Sequence, residues 1–281
     1  MNSIKNKIKK SALYTFLSRV KNFKNIELEK NFDYFFNNII EGNVVVGLEN
    51  IPGSYEIDSR SDILKRILIY KKYEPEIVDL ILKNISKNSD ALNIGANIGL
   101  FANLLANNIS DDNFVLAVEP TKNAHQLLQN NILRNNNSKK IKTYKGIITD
   151  IKGEYFINTI VGKEEYSSVG KLVHQSVEKD TSKKEAVEGI SMDDLVSEYK
   201  VKPKLIVIDV EGAEFNVLQG GVETLKKYNP TIISELDDKL LKTQNTTSTK
   251  VVQFLEDLGY KVSDVEGSKI VFPFSGNIIA K

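Results

Sequence analysis

Four short apolar runs constrain this chain more than anything else in it, because each stops at a glycine or an acid. Ala91–Ile94 stops at Gly95, Phe114–Val118 at Glu119, Leu205–Ile208 at Asp209 and Thr231–Ser234 at Glu235. A fifth run, Ile141–Tyr144, lies among them, and helical patterns at Leu100–Asn108, Thr121–Leu133 and Val222–Tyr228 separate several of the five. Strands alternating with helices predict an α/β fold with an open, mostly parallel sheet. Such sheets bind ligands beyond the carboxyl ends of their strands, where the glycine and the three acids fall. The end of the chain reads differently. Val251–Leu258 is helical, Tyr260–Val265 and Ser268–Phe272 are strand-like and Gly276–Ala280 closes the chain, which predicts an antiparallel hairpin on the sheet edge. Val161–Glu188, with Gly, Ser and alternating Lys/Glu, reads as a long mobile connection over one face of the sheet, suited to a substrate lid.

Ahead of Asp90 the pattern differs. Asn43–Leu48 and Ser54–Ile57 flank the turn dipeptide Pro52-Gly53 and predict a β-hairpin, and Asp62–Tyr70 and Pro75–Ile85 follow as helices. Asn31–Ile40 (NFDYFFNNII) reads as a short helix or an irregular packing segment. Residues 1–26 hold seven basic side chains and no acid, so with a net charge of +1 the rest of the chain carries −6. Their apolar residues Ile4, Ile8, Leu13, Phe16, Leu17 and Val20 recur near the helical period. The expected organisation is a basic amphipathic extension (1–30), a helix and hairpin cap (31–89) and a ligand-binding domain (90–281). Two readings of the extension stand side by side: a solvated helix packed on its own domain, or a contact with a membrane surface or a protein partner. No run of about 20 apolar residues predicts a spanning helix. With no cysteine, thiolate chemistry, disulfides and iron–sulfur clusters are excluded, and a reducing compartment, the cytoplasm, is the expected location. A net-acidic body argues against nucleic acid as a partner.

Three segments carry chemistry. In Ala91-Leu92-Asn93-Ile94-Gly95-Ala96-Asn97-Ile98-Gly99 a strand runs into a glycine turn and a helix. Gly95 lets the backbone approach a ligand, and Gly99 is expected to let the helix lie close to the strand. The spacing is G-x-x-x-G rather than the G-x-G-x-x-G of dinucleotide sites. Glu119 lies 20 residues beyond Gly99, the place from which a carboxylate accepts ribose hydroxyls, and Pro120 ends the strand. Finally, Asp209, Glu211 and Glu214 fall within six residues after an apolar strand, so this end of the sheet is expected to meet a cation or a proton to be removed.

Together these motifs resemble the FkbM-type S-adenosylmethionine-dependent methyltransferases. The resemblance runs from Tyr73-Glu74 to Ile279 through LNIGANIGLF, AVEP, NNILRNN, SMDDL, IDVEGAEFNVLQGG and NPTIISEL. It implies a Rossmann-like methyltransferase fold of seven strands, the last antiparallel, that binds S-adenosyl-L-methionine. Carried onto this sequence, Tyr73, Asn93, Gly95, Ala96, Asn97 and Gly99 would line the donor, Glu119 and Pro120 its ribose, and Gly146 and Ile147 its adenine. Asp209 would face the transferred methyl, with Glu211 and Glu214. The family commonly has an acid where Asn93 stands. The implied activity is O-methylation of a hydroxyl on a sugar, glycan precursor or small metabolite.

A sugar hydroxyl needs a base or a metal to lower its pKa, and the candidates are Asp209, Glu211, Glu235 and His174. All-oxygen ligation by Asp209, Glu211 and Glu235 would suit Mg²⁺ or Mn²⁺. The other histidine, His125, follows Glu119 on a helix with Leu127 and Leu128 and reads as structural. Two alternatives remain: a nicotinamide-dependent oxidoreductase, disfavoured by the glycine spacing, and a non-catalytic scaffold, favoured only by Asn93. Neither the acceptor nor the oligomeric state is legible in the sequence.

Overall fold

The computed structural model describes residues 42–169 and 182–281. The basic extension, the segment Asn31–Ile40 and His174 lie outside the described residues. Strands β1 (Asn43–Gly47) and β2 (Ser54–Asp58) pair antiparallel on either side of Pro52-Gly53, as the hairpin reading expects. Helix α1 (Asp62–Tyr70) begins at Ser61, whose hydroxyl accepts from the Ile63 N–H. Helix α2 (Pro75–Asn84) begins at a proline, where a missing N–H costs nothing. Then β3 (Asp90–Ile94), α3 (Leu100–Asn108), β4 (Val115–Val118), α4 (Lys122–Arg134) and β5 (Ile141–Tyr144) follow in strict alternation.

The chain next builds a second sheet from β6 (Ile147–Ile148), β7 (Gly153–Thr159), β8 (Ser168–Val169) and β9 (Lys183–Ile190), in the order β6-β9-β7-β8. This corrects the reading of Val161–Glu188 as a connection. Seven residues of β7 pair antiparallel with seven of β9, and the period-2 burial that ends in Val187 and Gly189 is hidden in the sequence by the charged Lys183, Lys184, Glu185 and Glu188. Helix α5 (Met192–Tyr199) leads to β10 (Pro203–Ile208), α6 (Glu214–Gln219), α7 (Val222–Tyr228), β11 (Thr231–Asp237), α8 (Asp238–Thr243) and α9 (Ser248–Asp257). Two antiparallel strands, β12 (Val262–Asp264) and β13 (Ser275–Ala280), end the fold. Ser268–Phe272 is not a strand: it is loop, with Val271 78% exposed and so without a sheet face to cover.

The main sheet has seven strands in the order β12-β13-β11-β10-β3-β4-β5, parallel except for β13. This is the Rossmann-like methyltransferase arrangement. Its apolar strands are buried on both faces: in β10, Leu205, Ile206, Val207 and Ile208 are each at most 2% exposed. Each such side chain contributes about 1.5–3 kcal/mol by leaving water. One face packs on α1–α4 and the hairpin, the other on α5, α7 and α9, so the described part of the cap shares a core with the sheet. The order reverses between β3 and β10, and there the two flanking layers part and leave a crevice. Among the described residues no helix is long and apolar enough to cross a membrane.

The asparagine-rich stretch of α4 fastens the hairpin to this body. The Asn131 carboxamide accepts from the Glu56 N–H at 2.6 Å and donates to the Glu56 and Ile98 carbonyls at 3.0 and 2.9 Å. One turn on, Asn135 accepts from the Ser54 N–H at 3.0 Å and donates to the Ser54 carbonyl at 2.9 Å. Two helix side chains thus satisfy the open edge of β2 as another strand would. Asn131 is fully buried, so Asn131→Ala strands three backbone groups and should cost about 2–4 kcal/mol in a urea unfolding titration. A loss below about 1 kcal/mol would mean that these groups find water instead.

Candidate active site at the strand ends

A cavity of about 200 Å³ opens at the crevice. Its floor is the turn after β3. Gly95 has φ +80°, and a Cβ there would fall 1.7 Å from the Asp209 carbonyl oxygen, so the first two strand ends meet with no room for a side chain. The Asp209 N–H closes the junction by donating to the Ile94 carbonyl at 3.0 Å. Ala96 and Asn97 continue the wall. At the end of β4, Glu119 is 5% exposed; one oxygen accepts from the Asn97 N–H at 2.9 Å and the other from the Thr121 N–H and hydroxyl at 2.9 and 2.7 Å. Burial pushes its pKa up to about 7 against those three donors.

Tyr73, Pro120, Gly146, Ile147, Asp209, Glu211, Glu214 and Glu235 also line the cavity, so twelve of the residues singled out in the sequence come together. Asn50, from the hairpin loop, holds the Tyr73 backbone through bonds to its carbonyl and N–H at 2.6 and 3.1 Å, and the Tyr73 ring leans on Phe101 at 5.9 Å. Two of the residues stand apart. Asn93 is 0% exposed in β3, behind the wall, and neither polar atom of its carboxamide has a partner. Gly99 faces Leu128 of α4, whose Cδ1 would lie 2.5 Å from an added Cβ, so its bare backbone serves helix–helix packing and not the expected helix–strand approach.

The wall also holds residues the sequence reading passed over. Glu74 caps α2 in a left-handed conformation, φ +36°, and its carboxylate lies 3.5 Å from Arg66. Residues 160–169 form a strap across the cavity. Glu165 accepts from the Ser61 hydroxyl at 3.0 Å and the Asp62 N–H at 2.6 Å, and the Tyr166 hydroxyl donates to Asp62 at 2.8 Å. Asn123 donates to Glu164 at 2.9 Å, and Gln244 to the Val169 carbonyl. No local pattern marks Glu165, since its partners lie more than 100 residues away in the chain. Left-handed backbone at residues other than glycine recurs here: Glu74, Asn97 and Glu211 (φ +53°) all line the cavity, and such strain gathers where a fold must aim particular groups.

The result is a wall rich in carboxylates. Burial, then repulsion from Glu235, Glu211, Glu74 and Glu214, holds the Asp209 pKa well above its ordinary value. Burial with the nearby Glu235 and Glu214 pushes Glu211 up to about 8, and burial raises Glu74, Glu165 and Glu214 to about 7. Glu235 is raised by burial too, though its side chain is the most open of the group. The divalent-metal reading does not fit. Among the described residues no three His, Asp or Glu side chains are grouped to hold a metal ion; the acids are spread over two strand ends, a turn and a strap.

A sequence profile described as the methyltransferase FkbM domain matches residues 93–262, well over half of the chain. Among solved structures, the methyltransferase FkbM from Methylobacillus flagellatus KT is 14% identical over 69% of this chain, with a TM-score of 0.44; the chain spans 44% of that protein's length. TYW2 from M. jannaschii, solved with AdoMet, is 12% identical over 86% of this chain and 85% of its own, with a TM-score of 0.43. The precorrin-6y C5,15-methyltransferase from Geobacter metallireducens GS-15 is 14% identical over 74% and 87%, at 0.41. No curated protein matches the chain.

Proposed function

The chain belongs to the methyltransferase FkbM domain family, and from that premise we propose that it is an S-adenosylmethionine-dependent O-methyltransferase acting on a hydroxyl of a sugar, glycan precursor or small metabolite. The observation that carries this reading is the junction of three strand ends around one cavity: Gly95 without a side chain, Glu119 poised beside Asn97, and Asp209 against Gly95. The donor fits the wall chemically, since its sulfonium and ammonium groups are cations and the described wall holds one basic side chain, Arg66, among many acids.

When bound, the donor supplies a methyl group made electrophilic by its positive sulfur. The chain's own residues do the rest. Glu119 keeps acceptor capacity on the oxygen that takes only the Asn97 N–H, enough for a ribose hydroxyl. Gly146 and Ile147, which line the cavity, would border the donor's adenine, and Tyr73 would close the side towards α2. The strap would cover the cavity and position an acceptor oxygen against the bound donor's methyl, and such positioning supplies much of the rate. Asp209, whose pKa burial and the neighbouring acids hold well above its ordinary value, takes the hydroxyl proton when ionised, and Glu211 and Glu235 tune it through their charge.

Calorimetry with S-adenosylhomocysteine tests the reading. Binding in the micromolar range is expected, weakened roughly tenfold or more by Glu119→Gln, which trades a hydroxyl-binding carboxylate for an amide. No binding by the unmodified chain would sink it.

A further inference from the structure

The acids of the cavity can be sorted by what already occupies them. Glu74 is paired with Arg66, Glu165 takes the Ser61 hydroxyl and the Asp62 N–H, and Asp237 caps α8 by accepting from the Lys239 and Leu240 N–H groups. Glu119 holds Asn97 and Thr121. Asp209, Glu211 and Glu235 remain, on the side of the cavity bounded by α1, the strap and β11, and no basic side chain other than Arg66 lines the wall among the described residues. A second observation points to a missing donor. Glu214 is 2% exposed, and while its Oε1 accepts from the Gly212 N–H at 3.0 Å, its Oε2 has no partner. In the strap the buried Ser167 Oγ is also without one.

We propose that the methyl acceptor is itself a cation, a hydroxyl compound carrying a protonated amine such as an amino sugar, held through that amine by Glu211, Glu235 and the free oxygen of Glu214. The inference rests on the methyltransferase reading and names its substrate class. S-adenosylmethionine, with two positive groups and one carboxylate, offsets one net negative charge and leaves the others facing the acceptor. A neutral sugar would satisfy hydrogen bonds but leave that charge unbalanced, and a phosphorylated or carboxylated acceptor would add to it. Acceptors activated as phosphates or nucleotide conjugates are therefore rejected by the same wall that binds the amine.

The full chain saturated with S-adenosylhomocysteine, titrated by ligand-observed NMR with glucosamine, glucose and glucose 6-phosphate, tests this. Glucosamine should bind at least roughly tenfold more tightly than glucose, and glucose 6-phosphate not at all. That preference should shrink several-fold in E211Q and again in the E211Q/E235Q pair, each checked for an unchanged fold by its melting curve. Equal binding of the amine and the neutral sugar, binding of the phosphate, or no binding of the amine would overturn the proposal. Failure of S-adenosylhomocysteine to bind would instead overturn the donor reading.

Discussion

Replacing Gly95 with alanine should lower the melting temperature by on the order of 10 °C and abolish S-adenosylhomocysteine binding, the largest single-residue effect expected outside the hydrophobic core. The added Cβ would sit 1.7 Å from the Asp209 carbonyl oxygen and 2.7 Å from its carbon, and φ is +80°. Both partners are backbone, and the Asp209 N–H is already bonded to the Ile94 carbonyl, so relief requires parting β3 from β10 at the cavity floor. Gly99→Ala is the informative contrast. Its φ of +88° carries similar strain, but the added Cβ meets Leu128 Cδ1 at 2.5 Å, the far end of a side chain that can rotate. A smaller loss, a few degrees, with binding retained is expected there. If Gly95→Ala melts within about 2 °C of the unmodified chain and still binds, the tight junction is not what forms the site.

The contrast also marks what the sequence could reveal. Two glycines four residues apart look alike in a sequence, yet one faces the neighbouring strand end and the other a helix 29 residues on. The parallel sheet was legible because β3, β4 and β10 each hold an apolar run (Ala91-Leu92, Val115–Val118 and Leu205–Ile208) and lead into turn or acidic residues, a pattern set by local burial. Strand β9 was not, because its charged residues Lys184, Glu185 and Glu188 mask an alternation that shows only once β7 lies beside it. The site divides the same way. Glu119 and Asp209 follow their strands directly and Glu235 lies near the end of β11, so locating the strands located them. Glu74 and Glu165 enter through a helix cap and a strap whose partners are distant in sequence, and no local rule brings them in.

The unliganded protein should be most stable near pH 5 and lose stability steadily towards pH 8, opposite to the usual behaviour of proteins whose carboxylates are ion-paired. The sign follows from Glu119 and Glu214, 5% and 2% exposed, whose pKa values stand at about 7. In the unfolded chain each would titrate near 4.3, so between roughly pH 4.5 and 7 the folded state holds more protons than the unfolded one. Stability then falls as pH rises through that window, by on the order of 3 kcal/mol for each of the two groups taken alone. Glu211, at about 8, extends the fall to higher pH. Melting curves from pH 5 to 8 should therefore slope downward, and Glu214→Gln, which keeps the shape and removes the charge, should flatten the slope. A melting temperature that is level or rises across that range would refute the account. The same charge gives the slope a functional reading. A bound cation partners the acids in the form that is unfavourable when the cavity is empty, so saturating S-adenosylmethionine should stabilise the protein more at pH 8 than at pH 5. The proton affinity that weakens the empty fold is, on this argument, the source of its hold on a positively charged donor.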